Sequence, residues 1–321
     1  MEVTATAVVP TLGKSPHLIP CLEALRREGA EIVLVDQSEI AVAIPAGLAD
    51  RILRPERNLG FAAGTNLGIA AGTNLGIAAG TNLGIAAAAG EWIATVNDDA
   101  VVEPGWLGAL VAALEAHPRA AAAQGVNVML AAPDLADGCG LAWNRWWQAV
   151  QVGHGRSVPA PSGAIREVFG VSATAAVFRR GALRGVASGE RIFDSRLESY
   201  YEDVDLAGRL RAAGWRALLV PAARARHAGS ATGQTLSRER WRLIYGNRYL
   251  AAARLLGRSF WPRMPRMVAR DAIDLAKAAS RGESELALGV LAGGGRAVRH
   301  AFKFIRGGSP LVPLSEIRRF R

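Results

Sequence analysis

Apolar residues open the chain in short continuous runs separated by helical spacings. Thr4–Pro10 (TATAVVP) and Glu31–Asp36 (EIVLVD) read as buried strands, Arg51–Arg54 as a short third strand, and Trp92–Val96 (WIATV) as a fourth that runs into Asn97-Asp98-Asp99. Between the first two, Leu18, Leu22 and Leu25 recur at helical spacing over Leu18–Glu28, and Gly29 is placed to end that helix. Strands alternating with helices predict an α/β fold around a mostly parallel sheet, in which ligands sit beyond the carboxyl ends of the strands. The residues at that rim are polar: Pro10-Thr11, Asp36-Gln37-Ser38 and Asn97-Asp98-Asp99.

Further along, Leu107–Ala116 reads as a helix closed by His117-Pro118. Residues 130–166, rich in Gly, Pro and Trp (AWNRWW at 142–147), read as an irregular acceptor loop or lid. Val168–Phe178 reads as a strand, Asp203–Ala213 as a helix ended by Gly214, and Trp215–Val220 as a strand stopped by Pro221. Beyond about residue 226 the pattern turns helical and basic. Between the third and fourth strands the octapeptide GTNLGIAA occurs at 64–71, 72–79 and 80–87, inside a stretch from Asn58 to Gly90 without charge. Thr and Asn in every copy argue against a membrane helix, and the short period argues against a solenoid. The repeat reads as local duplication of a helical unit that its glycines should weaken, leaving a frayed helix or a protruding loop.

Charge changes the picture at the C-terminal end. The chain of 321 residues carries a net +10, yet residues 224–321 hold a balance of +14 and residues 1–223 a balance of −4. Such asymmetry suggests an anionic partner for the tail, although solvated helix faces would carry it too. Half of the residues are hydrophobic and 21% are charged, which excludes wholesale disorder. Cys21 and Cys139 cannot build a disulfide framework. The first residues show no basic segment ahead of an apolar stretch, so no secretory leader is expected.

Two acidic clusters are the candidates for chemistry. Asn97-Asp98-Asp99 follows an apolar strand, where paired carboxylates either cap a turn or share a divalent cation with a substrate diphosphate. Tyr201-Glu202-Asp203-Val204-Asp205 puts Asp203 at a helix start, which suits a capped helix or a general base aimed from a rigid element. Asp36 is a turn former or, with Thr11, a partner for a nucleobase, and His227 is a structural histidine or a ligand beside the diphosphate.

The series VVPTLG (8–13), VLVDQS (33–38), NLGFAAGTNLGI (58–69), NDD (97–99), FDSRLESYYEDVDLAGRL (193–210) and HAGSATG (227–233) resembles the family 2 glycosyltransferases of the GT-A fold, and within them the bacterial rhamnosyltransferase-like branch. The resemblance covers about residues 3–250. It implies a GT-A catalytic domain over 1–225, with a nucleotide-sugar half to about 100 and an acceptor half beyond it, and a basic helical region over 226–321. It also implies Mg²⁺ or Mn²⁺ and transfer with inversion at the anomeric carbon. The donor would be a nucleotide-diphosphate sugar such as dTDP-L-rhamnose, and the acceptor a glycan or polyprenyl-linked hydroxyl. By position it places Pro10, Thr11, Asp36, Asn58, Gly60, Asn66 and Asp98 around the nucleotide sugar, Asp99 and His227 at the metal, and Asp203 with Glu202 at the catalytic base. Asn97 stands where the family's signature has its first Asp, and the extra repeat copies leave Asn66, Asn74 and Asn82 as rivals for one role.

The basic helices would then rest on an anionic membrane, at the cytoplasmic face of the inner membrane. The competing reading is a non-catalytic nucleic-acid-binding or scaffolding protein using the basic tail. The slightly acidic body and the lack of a nucleic-acid motif argue against it. A dinucleotide-dependent oxidoreductase would need G-x-G-x-x-G where the chain has Pro10-Thr11-Leu12-Gly13.

Overall fold

A computed structural model describes residues 5–55, 76–189, 191–229, 237–304 and 309–320. The first strands appear where the apolar runs place them: β1 (Ala5–Thr11), β2 (Glu31–Asp36), β3 (Arg51–Leu53) and β4 (Trp92–Val96), with α1 (Leu18–Arg27) between β1 and β2. These four strands are parallel and lie in the spatial order β3-β2-β1-β4. The sheet continues through β11 (Ala175–Arg179), antiparallel to β4, and then β6 (Ala120–Met129) and β12 (Arg216–His227), which are parallel to each other. β10 (Arg166–Val168) borders β12, while β5 (Ala100–Val102) and β7 (Ala132–Gly138) pair with β12 and β6 off the main path. The result is the mixed α/β sheet with flanking helices expected of the GT-A fold.

Each face of the sheet has its own apolar layer. α1 and α3 (Trp106–Ala116) bring Leu22, Leu25, Trp106 and Leu110 to one side. α2 (Gly76–Ala87) and α5 (Glu202–Ala212) bring Ile85, Leu206 and Leu210 to the other. A third layer lies beneath the C-terminal helices, where Trp143, Phe169, Tyr249 and Phe260 pack together. Those helices are α6 (Arg238–Leu256), α7 (Met264–Ser280), α8 (Ser284–Phe304) and α9 (Leu314–Arg319).

Several sequence expectations need correction. The stretch 130–166 is not irregular: it holds β7, β8 (Leu141–Trp143) and β9 (Ala149–Gln151), and Trp143 and Trp147 are buried. The 168–178 run is two strands, β10 and β11, because residues 169–174 leave the sheet to pass the acidic segments. Pro221 does not stop its strand. β12 runs on to His227, and the missing N–H is accommodated where its pairing with β6 slips between Leu219 and Arg224. Gly125 permits that slip, since a Cβ there would lie 2.2 Å from the Ala223 carbonyl oxygen.

The expectation of a frayed helix or a protruding loop for the extra copies falls partly on residues 64–75, outside the described residues; the described part of the repeat is a packed helix. α2 spans the end of the second copy and all of the third. Its glycines fall four apart, on one face, and that face meets the sheet: a Cβ at Gly80 would lie 2.4 Å from Gln37 Nε2, and one at Gly84 would lie 2.2 Å from Val8 Cγ1. The glycines that lower helix propensity therefore set the close approach of helix to strands. Among the described residues no helix is long and apolar enough to cross a membrane.

Part of the tail's positive charge is turned toward the acidic body. Arg254 of α6 pairs with Asp194 and Asp205, both at 2.5 Å, and Arg296 of α8 pairs with Glu198 at 2.9 Å. Glu316 of α9 and Arg319 reach back to Arg211 and Glu167, at 2.7 and 3.3 Å.

Candidate active site

Three strand ends meet at one rim. Thr11 and Asp36 are register partners at the ends of β1 and β2, and Gln37 N donates to Thr11 O at 2.9 Å. On the other side of β1, the Asn97–Asp99 turn leaves β4 beside Thr11, whose hydroxyl donates to Asp98 Oδ2 at 2.6 Å. Ser15 Oγ donates to the Asp98 carbonyl at 3.0 Å. Pro10 is buried one residue earlier in β1. Asp36 is only 2% exposed, and its oxygens accept from Ser38 N (3.0 Å), the Ser38 hydroxyl, Val42 N (3.1 Å) and Arg54 Nη1 (2.9 Å). Its carboxylate thereby shapes the 37–42 segment at the rim. Arg54 also grips Ser38 O at 3.1 Å; the sequence reading did not single it out.

His227 is the last residue of β12, where antiparallel pairing with β5 sets it opposite Ala100 and over the acidic turn. Its Nε2 lies 3.3 Å from Asp99 Oδ1 and its Nδ1 lies 2.8 Å from Asp137 Oδ2 on β7. Ala228 N donates to the Asp99 carbonyl at 2.9 Å. Burial works against the imidazolium, but the two carboxylates outweigh it and push the His227 pKa up to about 9. Burial likewise pushes Asp99 upward, and the bond and charge of His227 overcome it and hold that carboxyl below its ordinary value. Asp98 is pushed up to about 6 by burial, opposed by the Thr11 hydroxyl and reinforced by the charge of Asp99.

This corner suits a divalent cation that also binds phosphate. Among the described residues no three His, Cys, Asp or Glu side chains converge to enclose a metal on their own. Asp99 and His227 do present a carboxylate oxygen and an imidazole nitrogen side by side, each in reach of one ion. Mg²⁺ and its analogues commonly take one or two protein ligands and fill the remainder with phosphate oxygens and water. An ion here would lie between the His227 imidazole and the Asp99 carboxylate, which stand 3.3 Å apart.

The second acidic pair opens α5. Asp203 Oδ1 accepts from Val204 N at 2.8 Å and Oδ2 from Ala173 N at 3.4 Å. The same connection between β10 and β11 meets the first acidic turn, because Asn97 N donates to Thr174 O at 2.8 Å. Gln124, fully buried, fixes that connection by accepting from Ser172 N at 2.7 Å. Asp203 thus stands one short segment away from Asn97, and through it from Asp98 and Asp99. Glu202 is 7% exposed, and its Oε2 has no hydrogen-bond partner among the described residues. Burial, with the charge of Asp203 added, pushes Glu202 up to about 8. Burial also raises Asp203, but the Val204 and Ala173 amides and the Ser172 hydroxyl pull the other way. The donors on Asp203 favour its ionised form, whereas burial favours the neutral form of Glu202.

The loop entering α5 is strained. Glu198, Tyr200 and Tyr201 hold left-handed backbone at φ 61, 68 and 69°. Such positions cost on the order of 1–3 kcal/mol each and concentrate at functional sites. Asp137 and the 172–174 connection were missed by sequence reasoning, and the loop, though inside the 193–210 series, gave no sign of its backbone conformation. Asp137 lay in the stretch read as irregular, and nothing local in Ser172–Thr174 marks it.

Asn58, Gly60 and Asn66 lie outside the described residues, as does Asn74. Asn82 is described and faces away from the rim's strand ends: it accepts from Ile192 N (3.0 Å) and Phe193 N (2.8 Å) and donates to Phe193 O (2.7 Å).

Residues 71–129 match the family model for glycosyl transferase family 2. Among solved structures, GalNAc-T7 with UDP, GalNAc and Mn²⁺ is similar over 99% of this chain and 54% of that chain, at 15% identity and a TM-score of 0.57. The mannosyltransferase PcManGT from Pyrobaculum calidifontis, in complex with GDP-Man and Mn²⁺, is similar over 92% of this chain and 86% of that one, at 16% identity and a TM-score of 0.50. This chain spans about half the length of the GalNAc-T7 chain. Comparison with curated proteins finds no match. The architecture is that of the GT-A glycosyltransferases. The segment from the last repeat copies to the end of β6 matches the family 2 pattern, in line with that part of the resemblance.

Proposed function

We propose that this chain is an inverting glycosyltransferase, moving a sugar from a nucleotide-diphosphate donor to a hydroxyl of a glycan or polyprenyl-linked acceptor. The observation that carries the reading is the linkage of two acidic pairs through one connection: Asn97 and Asp203 bond to Thr174 and Ala173 respectively. Thr11, Pro10 and the loop ordered by Asp36 would receive the nucleoside at the β1–β2 end, beside Asp98. Asp99 and His227 are the residues that would hold Mg²⁺ or Mn²⁺, whose chemistry is to neutralise the departing diphosphate.

Asp203 would accept the proton of the acceptor hydroxyl as its oxygen bonds to the anomeric carbon. The bond from that carbon to the diphosphate oxygen breaks in the same displacement, which inverts the centre. Burial favours the neutral form of Glu202, which lessens the negative charge beside Asp203. No further carboxylate is assigned as a covalent nucleophile.

The donor proposed from the sequence resemblance is dTDP-L-rhamnose. The similar structures hold UDP with GalNAc and GDP-Man. We place the helical region against the cytoplasmic face of an anionic membrane, a reading supported by the +14 balance of residues 224–321 and by exposed Val268, Leu291 and Val298 on α7 and α8. The test is a thermal-shift and hydrolysis panel of UDP-, GDP- and dTDP-sugars with MnCl₂. One nucleotide class is expected to raise the melting temperature only with the metal and to be slowly hydrolysed. Stabilisation by none of them, with no hydrolysis, rejects the reading.

A further inference from the structure

The loop that leads into α5 is gripped from outside the sheet. Asn247 is fully buried within α6, and its Nδ2 donates to three carbonyls of that loop: Leu197 (2.6 Å), Ser199 (2.9 Å) and Tyr200 (3.0 Å). An amide nitrogen has two hydrogens, so three acceptors share them. Asparagine is a poor residue for a helix interior, and the ladder of α6 does not call for it. Its Oδ1 accepts from Arg296 Nε of α8 at 3.0 Å. A guanidinium can only donate, so this contact fixes which end of the amide faces the loop. Arg296 then reaches the loop itself, through Glu198 Oε1 at 2.9 Å and Arg196 O at 2.6 Å.

The opposite side of the loop meets the first turn of α2. Ala78 N donates to Glu198 O at 3.1 Å and Ile77 N to Ser199 Oγ at 3.4 Å. Gly76 approaches so closely that a Cβ there would lie 2.6 Å from Glu198 O. Three helices therefore close on a segment whose φ is positive at three non-glycine positions. Residues in such conformations relax unless their surroundings over-determine them. Relaxation at Tyr200 or Tyr201 would turn the first residues of α5 and draw the Asp203 carboxylate off Ala173 N.

We infer that Asn247, locked in orientation by Arg296, is a positioning residue for the base: it holds the Glu198–Tyr201 backbone in the conformation that aims Asp203. The inference rests on the reading of Asp203 as the acceptor's base. It makes the C-terminal helices part of the catalytic geometry and gives the buried asparagine of α6 a purpose beyond packing.

The experiment compares wild type, Asn247→Ala, Arg296→Met and Asp203→Asn by hydrogen–deuterium exchange, by hydrolysis of the donor the panel selects, and by thermal shift with MnCl₂ plus UDP, GDP or dTDP. Asn247→Ala is expected to speed amide exchange over 197–205 by about tenfold or more while β1 and β4 stay protected. Its kcat is expected to fall by about 100-fold, the scale of a 1 Å misplacement, with KM and the nucleotide thermal shift retained. Arg296→Met, which leaves the core of α6 intact, should move the same readouts in the same direction by about tenfold, and it decides the matter if Asn247→Ala does not fold. Unchanged exchange over 197–205 overturns the bracing, whether or not the protein turns over any donor. Faster exchange with unchanged kcat overturns the positioning role. Full activity in Asp203→Asn instead rejects the reading of the base, and the exchange data then still decide the bracing on their own.

Discussion

The two acidic pairs of this protein stand in opposite electrostatic settings. Asp98-Asp99 follows β4 and has a cation in contact, since His227 lies 3.3 Å from Asp99 and is itself backed by Asp137. Glu202-Asp203 opens α5 with amide and hydroxyl donors but no cationic contact on either carboxylate among the described residues, and burial lifts both. The first arrangement keeps a carboxylate ionised, which is what a metal ligand requires. The second raises proton affinity, which is what a general base requires near neutral pH. Similar carboxylates are thus given different proton affinities by what the fold places next to them, which suits the two roles proposed for them.

The contrast can be broken most sharply at Asp203. Asp203→Asn is expected to lower kcat by about 10³-fold, within the usual range for general-base removal, while Mn²⁺-dependent nucleotide binding by thermal shift is retained. Asp99→Asn should do the reverse: the nucleotide-induced thermal shift in MnCl₂ collapses toward the metal-free value, and a retained shift would remove Asp99 from the metal. Asp137→Asn withdraws the charge behind His227. A loss of about 10–100-fold in apparent Mn²⁺ affinity, read by metal titration of activity, is expected of such an outer partner.

Proton linkage gives two gentler tests. The base acts when ionised and burial raises its pKa, so kcat should climb with pH along an acid limb centred above the ordinary Asp value near 3.8. The sign for stability follows from Glu202, raised from 4.5 to about 8 on folding. Its contribution is whole below about pH 4.5 and is lost as pH rises through about 8. Glu202→Gln should therefore match wild type in melting temperature near pH 5 and exceed it by about 5 °C at pH 9. Equal melting curves at both pH values would show that Glu202 is not a buried neutral acid.

Much of this was legible in the sequence where period and polarity coincide. β1, β2 and β4 are apolar runs ended by polar residues, so both the strands and their rim could be read directly. The acidic pair of α5 announces itself at a helix start. What was not legible depends on contacts across long sequence separations. Asp137 and His227 are 90 residues apart, and Asn247 and Arg296 are 49 apart; their meeting is decided by strand register and by the packing of α6 on α8. The bulge at Pro221 was hidden for a related reason. A proline ends a strand by local rules, and only the neighbouring strand shows that the pairing can slip around it.

The repeat has a consequence for how the chain can vary. The described contacts of α2 with the strands and with the loop before α5 come from residues between Gly76 and Ala87, in the last copy and the half before it. Loss or gain of an octapeptide upstream at the gene level would leave every one of those residues in its sequence context. Slippage over the repeat during replication would therefore change the length of the chain without changing the sequence of the helix that faces the sheet.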